Sequence, residues 1–296
     1  MRALVLVLCL MILIPHISAR SAKEIIIIGS NHLMFSLKGI IEQRIVDLRP
    51  DAVAIELNEE TLYQFMSYSK SAGLIDDDTE IKVGGSEAGS ERSEINPLHS
   101  FFYFPDIHGA VAAASVLGIP IYPIEDPRIT NSGLLQLFPS LAGSWIDFIA
   151  PDIAPGESLK LLVYRVARLT TGCSLVVSDY VLSFLRKPLG SSRLVVGSCL
   201  AGVRIRPELL LMCPYFFMPM PMSETGIRGA RMIYESSPSD IFVTGRERYM
   251  ADRIAEIPED RIVVVIGNMH LPGLEKEIRS RMPDSRIETI TLFELV

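Results

Sequence analysis

The chain has 296 residues, of which 49% are hydrophobic, and its formal net charge is −7. This length suits one large domain or two small ones, and the apolar share is ample for a buried core. The acidic balance leaves no basic stripe of the kind that nucleic-acid binding requires, so no nucleic-acid partner is expected. The four cysteines have neither a disulfide framework nor metal-ligand spacing.

The first 22 residues resemble a signal peptide. Arg2 precedes an uncharged apolar run from Ala3 to Pro15, and Ala19 and Ser21 form an acceptable cleavage site. The run is shorter than the ~18 apolar residues that a membrane span requires, although an uncleaved anchor would have a similar pattern. We therefore expect residues 1–22 to be a signal peptide or N-terminal anchor, and the protein to be exported and extracytoplasmic.

A strand, a Gly-x-x-His turn and a helix follow this leader. The apolar run from Ile25 to Ile28 predicts the strand, and Gly29 to His32 forms the turn. Apolar residues recur at helical spacing over residues 33–48, which predicts the helix. A second apolar strand then ends at Glu56. This βαβ order predicts two parallel strands joined by a helix.

The middle of the chain contains further helices and one acidic, glycine-rich segment. Residues 73–97 have a composition that cannot bury a core, so we expect a mobile loop there. Helical patterns cover residues 58–70, 106–117 and 157–188, and a short strand ends at Ile124.

Residues 207–222 combine prolines, methionines and aromatic residues. Proline at this density excludes a helix or a central strand. The simpler interpretation is an apolar loop packed over the core. The alternative is a contact with a partner or a membrane through residues 214–222.

The end of the chain repeats the opening pattern. A strand at 240–243 and a helix at 246–257 precede the apolar run 262–266 and the second turn, from Gly267 to His270. A helix over 271–281 follows, and a last strand is expected to end in Glu-Leu, as the strand at Glu56 does. These repeated units predict an α/β fold over residues 23–296, with a mixed, mainly parallel sheet flanked by helices.

The two turns are predicted to open at the same edge of the sheet. Carboxyl ends of parallel strands form the edge at which α/β proteins bind ligands. His32 and His270 would then meet there, beside backbone N–H groups at helix N-termini. The alternative is two similar turns that carry histidine by chance.

Glu56 is the carboxylate closest to this predicted pair. Two imidazoles and a carboxylate with an open position form a set found in metal hydrolases, so His32, His270 and Glu56 are candidate metal ligands. The same groups could also act without a metal, with Glu56 orienting a histidine base.

Two arginines and two carboxylates follow other strands. Arg246 and Arg248 begin a helix after a strand, and Glu125 and Asp126 end another strand. Each set is either a solvated surface cluster or part of the site. At the carboxyl edge an arginine could bind a substrate carboxylate or stabilise an oxyanion.

Four sequence blocks together resemble the TraB/PrgY/GumN family, within the Tiki-like superfamily. The blocks are IIIIGSNHLMFSLKGIIEQRIVDLRPDAVAIEL, IPIYPIEDPRIT, GRERYMADRIAEI and VVVIGNMHLPGLEKEI. The residues that match the family pattern are Gly29, His32, Glu56, Asp126, Arg128, Arg246, Arg248, Met250, Gly267, His270 and Gly273. The chain departs from that pattern at Pro127, at Gly245, and at Asp106 with His108.

The resemblance implies an α/β fold and metal-dependent proteolysis, with manganese or cobalt at the paired Gly-x-x-His turns and zinc as an alternative. Other branches are linked to shutdown of peptide pheromone activity or to hydrolysis of a macrolide ester. The expected function is a metal-dependent hydrolase that acts on small peptides. A non-catalytic peptide-sequestering protein and a metal-free esterase with a His–Glu base are the alternatives.

In the expected site His32 and His270 bind the metal, and Glu56 is the third ligand or the general base. Arg248, in preference to Arg246, stabilises the developing negative charge.

Overall fold

The computed structural model describes residues 22–31, 36–71, 82–84, 105–127, 159–186, 223–234 and 244–295. Strands and helices alternate along them and form an α/β fold. The strands are β1 (Glu24–Ser30), β2 (Ala52–Ile55), β3 (Ile121–Pro123), β4 (Arg261–Gly267) and β5 (Arg286–Ile290). The helices are α1 (Leu37–Leu48), α2 (Glu59–Ser71), α3 (Pro105–Leu117), α4 (Leu159–Arg186), α5 (Glu224–Tyr234), α6 (Thr244–Glu256), α7 (Leu271–Arg281) and α8 (Leu292–Leu295), with a 3₁₀ turn at Asn268–His270.

The five strands form one sheet in the order β3-β2-β4-β1-β5, and all neighbouring strands are parallel. The sequence predicted a mixed, mainly parallel sheet, and the described strands contain no antiparallel pair. The apolar runs Ile25–Ile28 and Ile262–Ile266 are at most 1% exposed. Burial on both faces explains why these strands read as continuous apolar runs and not as an alternation.

Helices cover both faces of the sheet, because successive side chains of a strand point to opposite sides. One face packs against α1, α2 and α3, and it carries Ile26, Ile28, Val53, Ile55, Val263 and Val265. The other packs against α5, α6 and α7, and it carries Ile25, Ile27, Ala52, Ala54, Ile262, Val264 and Ile266.

The register brings the two ends of the chain side by side. β1 pairs with β4 from Glu24 opposite Arg261 to Ser30 opposite Gly267. β2 lies on the other side of β4, with Ile55 opposite Val265. The two strands that precede the Gly-x-x-His turns, β1 and β4, are therefore hydrogen-bonded neighbours. His32 itself lies outside the described residues.

Part of the acidic segment 73–97 lies against the edge of the sheet. Val83 forms a parallel bridge with Ile121, the Ile121 N–H donates to the Lys82 carbonyl at 2.8 Å, and the Gly84 N–H donates to the Ile121 carbonyl at 2.9 Å. Residues 82–84 therefore pair with the edge of the sheet, and the rest of 73–97 lies outside the described residues.

The prediction that the last strand ends at Glu294 is wrong. The last strand ends at Ile290, and Glu294 lies in α8 instead of ending a strand. Its Oε2 accepts hydrogen bonds from the Thr291 N–H at 2.6 Å and from Thr291 Oγ1 at 2.9 Å. The Glu294 side chain thus caps the start of α8 as the glutamate of a capping box does, so Glu294 has a structural role and is not the counterpart of Glu56.

Several predicted segments lie outside the described residues: 1–21 of the leader, most of 73–97, all of 207–222 and the strand at 240–243. Within the described part of the chain, no helix is long and apolar enough to cross a membrane.

Candidate functional site

Buried polar residues collect at the carboxyl edge of the sheet. Each lies at the end of a strand or in the first turn of a helix that begins at this edge. Those that are at most 9% exposed include Ser30, Glu56, Asp106, Glu125, Asp126, Glu247, Asn268 and His270. Carboxylates and imidazoles are seldom buried unless they have partners, so their contacts indicate what the site can do.

The two Gly-x-x-His segments touch each other through a glycine. A Cβ atom on Gly29 would overlap Asn268 Oδ1 and the Leu271 side chain. The first glycine of the first motif therefore has to lack a side chain, because the second motif occupies that space. This close approach, together with the β1–β4 register, places the start of the first turn directly against the second.

Arg246 lies between two carboxylates, and we call Glu56, Glu125 and Arg246 the Arg246 cluster. Arg246 Nη2 donates to Glu56 Oε1 and to Glu125 Oε2, and Nε lies 3.2 and 3.0 Å from the two Glu125 oxygens. Burial alone lowers the pKa of Arg246, but attraction to Glu56 and Glu125 outweighs it and holds that pKa above its ordinary value. The guanidinium therefore stays charged and holds both carboxylates in place.

The second oxygen of Glu56 is also held. Glu56 Oε2 accepts the Gly267 N–H at 2.5 Å, which ties the carboxylate to the end of β4. Its Oε1 lies 3.6 Å from His270 Nε2. The strand-ending glutamate and the second motif histidine, both candidates from the sequence, are thus neighbours in the structure.

His270 is 1% exposed and lies between two carboxylates. Its Nδ1 is 3.4 Å from Glu247 Oε1, while Nε2 faces Glu56 and has no hydrogen-bond partner among the described residues. In the tautomer with the proton on Nδ1, Glu247 is the acceptor on that side of the ring and the Nε2 lone pair points toward Glu56. Histidines that bind metals commonly have this outer carboxylate.

Glu247 is positioned by Arg231, which no sequence motif marks as a site residue. Arg231 of α5 donates from Nη1 to Glu247 Oε1 at 2.5 Å and from Nη2 to Oε2 at 3.3 Å, and also to the Met269 carbonyl at 3.3 Å. Arg231, Glu247 and His270 therefore form a continuous chain, which we call the Arg231–Glu247–His270 chain.

Gly273 makes room for this chain. A Cβ atom on Gly273 would overlap the carboxyl group of Glu247. The last glycine of Gly-x-x-His-x-x-Gly is thus explained by the space that the Glu247 carboxylate needs.

Replacing Gly273 with alanine is expected to lower the free energy of unfolding by about 1–3 kcal/mol, because the buried carboxylate must move to admit a methyl group. Urea denaturation measures the change. Gly39→Ala is the matched control, because Gly39 is exposed within α1 and a Cβ there meets nothing within 4 Å. That change should leave stability unaltered or raise it by up to about 1 kcal/mol. Equal effects at the two glycines would contradict the packing argument.

Arg248 lies outside the cluster. Its side chain is 65% exposed, and its Nε is 3.9 Å from Glu277 Oε1. Residues two apart on a helix point about 200° away from each other, so Arg246 and Arg248 cannot both face the site. Arg248 was the arginine expected to stabilise charge, but Arg246 is the one that lies beside Glu56.

Asp106 and Ser30 form a second buried contact at this edge. Ser30 Oγ contacts Asp106 Oδ2 and lies 3.3 Å from the Ile266 carbonyl. Asp106 is in the first turn of α3, where backbone N–H groups favour a negative charge. This contact joins the start of α3 to Ser30, the second residue of the first Gly-x-x-His motif.

His108, two residues further along α3, belongs to the core. Its ring packs on Phe65 with the ring centroids 4.2 Å apart. Burial, and secondarily the charge of Lys38, lower the pKa of His108 to about 3, while Asp106 acts in the opposite direction. The imidazole is therefore neutral at pH 7.

A neutral buried His108 is expected to make the fold sensitive to acid. The ordinary pKa is 6.5 and the folded-state pKa is about 3, so the unfolded state takes up the proton first. The free energy of unfolding should thus fall between pH 6.5 and 3, by at most about 1.4 kcal/mol per pH unit from this group. His108→Leu should reduce that slope in urea titrations at several pH values. Identical slopes in the two proteins would contradict a neutral buried His108.

Other predicted site residues are placed as follows. Asp126 is buried, and its N–H donates to Glu125 Oε1 at 2.8 Å. His32 and Arg128 lie outside the described residues. Among the residues that the structure describes, no group of three His, Cys, Asp or Glu side chains is arranged to hold a metal ion.

Comparison with known proteins adds no relative to this description. No protein family, curated protein or solved structure gives a significant match to the chain. The function is therefore inferred from the residues and their geometry.

Proposed function

We propose that this protein is a metal-dependent hydrolase that cleaves peptide bonds in small peptides. The observation that carries the proposal is the environment of His270, whose Nδ1 faces Glu247 and whose buried Nε2 has no hydrogen-bond partner among the described residues. Leaving a buried polar atom without a partner is costly, and a bound ligand removes that cost. The contact of Gly29 with Asn268 and Leu271 supports a site shared by both motifs.

The described residues fit one side of a metal site. His270 Nε2 would be one ligand, with Glu247 as its outer partner. His32 would be the second ligand, and Glu56 would be the third ligand or the base. A divalent metal at this position would polarise the substrate carbonyl and lower the pKa of a bound water. The resemblance to the TraB/PrgY/GumN family implies manganese or cobalt, with zinc as the alternative.

The residues of the chain have separate roles in this proposal. Glu56 is fixed by the Gly267 N–H and by Arg246, so its Oε1 keeps its direction toward His270. The Arg246 side chain is 14% exposed and keeps a positive charge at the carboxyl edge. This charge would stabilise negative charge on the substrate carbonyl oxygen. Arg246 thus takes the role that the sequence analysis gave to Arg248.

A metal-free esterase is the second candidate. The distances of 3.6 Å from His270 to Glu56 and 3.4 Å to Glu247 favour it, because they nearly form a carboxylate–histidine pair without any metal. In that case His270 would be the base.

Metal analysis followed by peptide turnover tests the proposal. The protein is purified without chelator and without a nickel column, and its metal content is measured. We expect a divalent metal in stoichiometric amount, cleavage of a short-peptide library, loss of cleavage with chelator and its return with Mn²⁺ or Co²⁺. Ester cleavage by metal-free protein would favour the second candidate, and peptide binding without turnover would leave a sequestering protein.

The signal-peptide pattern of residues 1–22 supports placing this activity outside the cytoplasm. Small peptides in that compartment are the substrates we propose.

A further inference from the structure

A cleft of about 570 Å³ opens next to His270 at the carboxyl edge. Leu271 and Pro272, which follow His270 in the chain, form part of its wall. The remaining wall comes from α4, α5, α7 and the segment around the end of β5. The volume lies within the range of roughly 300–1,000 Å³ that is typical of small-molecule sites.

The polar wall of the cleft is rich in hydrogen-bond donors. Arg168 of α4, Arg228 and Arg231 of α5, and Thr289 and Thr291 line it, and of these Thr291 already donates its hydroxyl proton to Glu294. Guanidinium groups match the planar geometry of a carboxylate and bind it through paired hydrogen bonds. The donor set therefore suits an anionic group.

The carboxylates in the wall do not cancel this charge. Glu275 lines the cleft, but its Oε1 accepts two hydrogen bonds from Arg279 on the same helix, at 3.0 and 2.8 Å. Glu224 is the only other acidic residue in the described wall. Arg231 is engaged by Glu247, whereas Arg228 is exposed and forms no ion pair with any described residue. Arg228 is thus the arginine best placed to bind a new anion.

The cleft is physically linked to the candidate catalytic residues. Arg231 lines the cleft and also holds Glu247, which contacts His270. The same cleft has an apolar part, formed by Ile227, Met232 and Leu271. A ligand that has both an anionic group and an apolar side chain can therefore bind in this cleft. Its apolar side chain would contact Leu271, the residue that follows His270 in the chain.

We propose that this cleft binds the free C-terminal carboxylate of the substrate, with Arg228 as its main partner, and that the protein acts on short peptides with an apolar C-terminal residue. This inference rests on the proposed hydrolase function for its mention of a substrate. The binding preference itself is independent of turnover. An amidated peptide lacks the charge that the arginines recognise, so it binds more weakly.

Calorimetric titration tests the binding preference. The probes are acetyl-Ala-Leu with an N-methylated, hydrolysis-resistant peptide bond, as the free acid and as the C-terminal amide. We expect the wild-type protein to bind the acid at least tenfold more tightly than the amide. Arg228→Gln should bring that ratio close to one. Arg186→Gln is the matched control, because Arg186 is an exposed arginine at the end of α4 outside the cleft, and it should keep the wild-type ratio.

Melting temperatures of both variants check that the fold is intact. Equal binding of acid and amide by the wild-type protein, or an unchanged ratio in Arg228→Gln, would overturn the proposal. A clear acid preference without peptide cleavage would leave the carboxylate site standing and reject the hydrolase. Cleavage of peptide acids and peptide amides at equal rates would support the hydrolase and reject the carboxylate site.

Discussion

Replacing Arg246 with methionine is expected to lower the free energy of unfolding by about 3–5 kcal/mol at pH 7. Arg246 is the shared partner of Glu56 and Glu125, whose side chains are only 6% and 5% exposed. Methionine fills a similar volume but supplies no charge and no donor. Two neighbouring carboxylates would then be buried without the cation that holds them together. Urea denaturation of the two proteins measures the loss.

Arg248→Met is the matched control for this experiment, because it makes the same substitution two residues away on the same helix. Arg248 is 65% exposed and its only described ion pair spans 3.9 Å, so its loss should change stability by no more than about 0.5 kcal/mol. Adding Glu56→Gln and Glu125→Gln to Arg246→Met should recover part of the stability, since the unpaired charges are then removed. Equal effects of Arg246→Met and Arg248→Met would contradict the buried cluster.

The sheet could be predicted from the sequence because its signal is local. Continuous apolar runs such as Ile25–Ile28 and Ile262–Ile266 are typical of buried parallel strands, and α1 and α7 have helical periodicity. The strand order could not be predicted, because the pairing of β1 with β4 depends on how distant segments pack. The repeated Gly-x-x-His indicated only that the two turns open at one edge.

The candidate site was predicted in part for the same reason. Glu56 and His270 follow strands, so their place at the carboxyl edge follows from the topology. Arg231 comes from α5, and its ion pair with Glu247 joins two helices that no motif connects. Nothing in the local pattern points to that contact.

Helical spacing in α6 identifies Glu247 as an inward-facing residue but does not separate Arg246 from Arg248. Met250, Ala251 and Ile254 are the buried apolar residues of α6. At about 100° per residue, Glu247 lies near the centre of this stripe, whereas Arg246 and Arg248 lie at its two borders. The position of Arg246 in the site therefore depends on its contacts with Glu56 and Glu125, which no helical pattern predicts.

The error at Glu294 has a related origin. The repeated Glu-Leu suggested a second strand end, yet Thr291 and Glu294 also have the Thr-x-x-Glu spacing of a capping box. The hydrogen bonds between them follow the second pattern. The repeated Glu-Leu has no physical mechanism behind it, whereas the Thr-x-x-Glu spacing places the glutamate carboxylate near the N–H groups at the start of a helix.

Removing either motif histidine is expected to abolish stoichiometric metal binding and peptide hydrolysis. If His32 and His270 bind one metal, each single alanine variant lacks a strong ligand. The double variant then has little further function to lose. His99→Ala is a control, because His99 belongs to neither Gly-x-x-His turn, and it should keep both metal and activity. Metal stoichiometry, turnover and melting temperature are compared across the series.

Comparing the two single variants with the double variant distinguishes a shared metal site from two histidines with separate structural roles. Histidines with separate structural roles would each lower stability, and the two losses would add, because independent sites are additive. Single variants with full metal and full activity would favour two similar turns and reject the shared site.

Glu56→Gln distinguishes the two roles proposed for Glu56. Glu125→Gln is its control, because each change removes one carboxylate from Arg246. Only Glu56 lies 3.6 Å from His270. Glu56→Gln should keep the metal and lose activity if Glu56 is the base, and lose both if it is a ligand. Glu125→Gln should keep the metal in either case. Equal losses of metal in the two variants would mean that the Arg246 cluster acts on the site through structure alone.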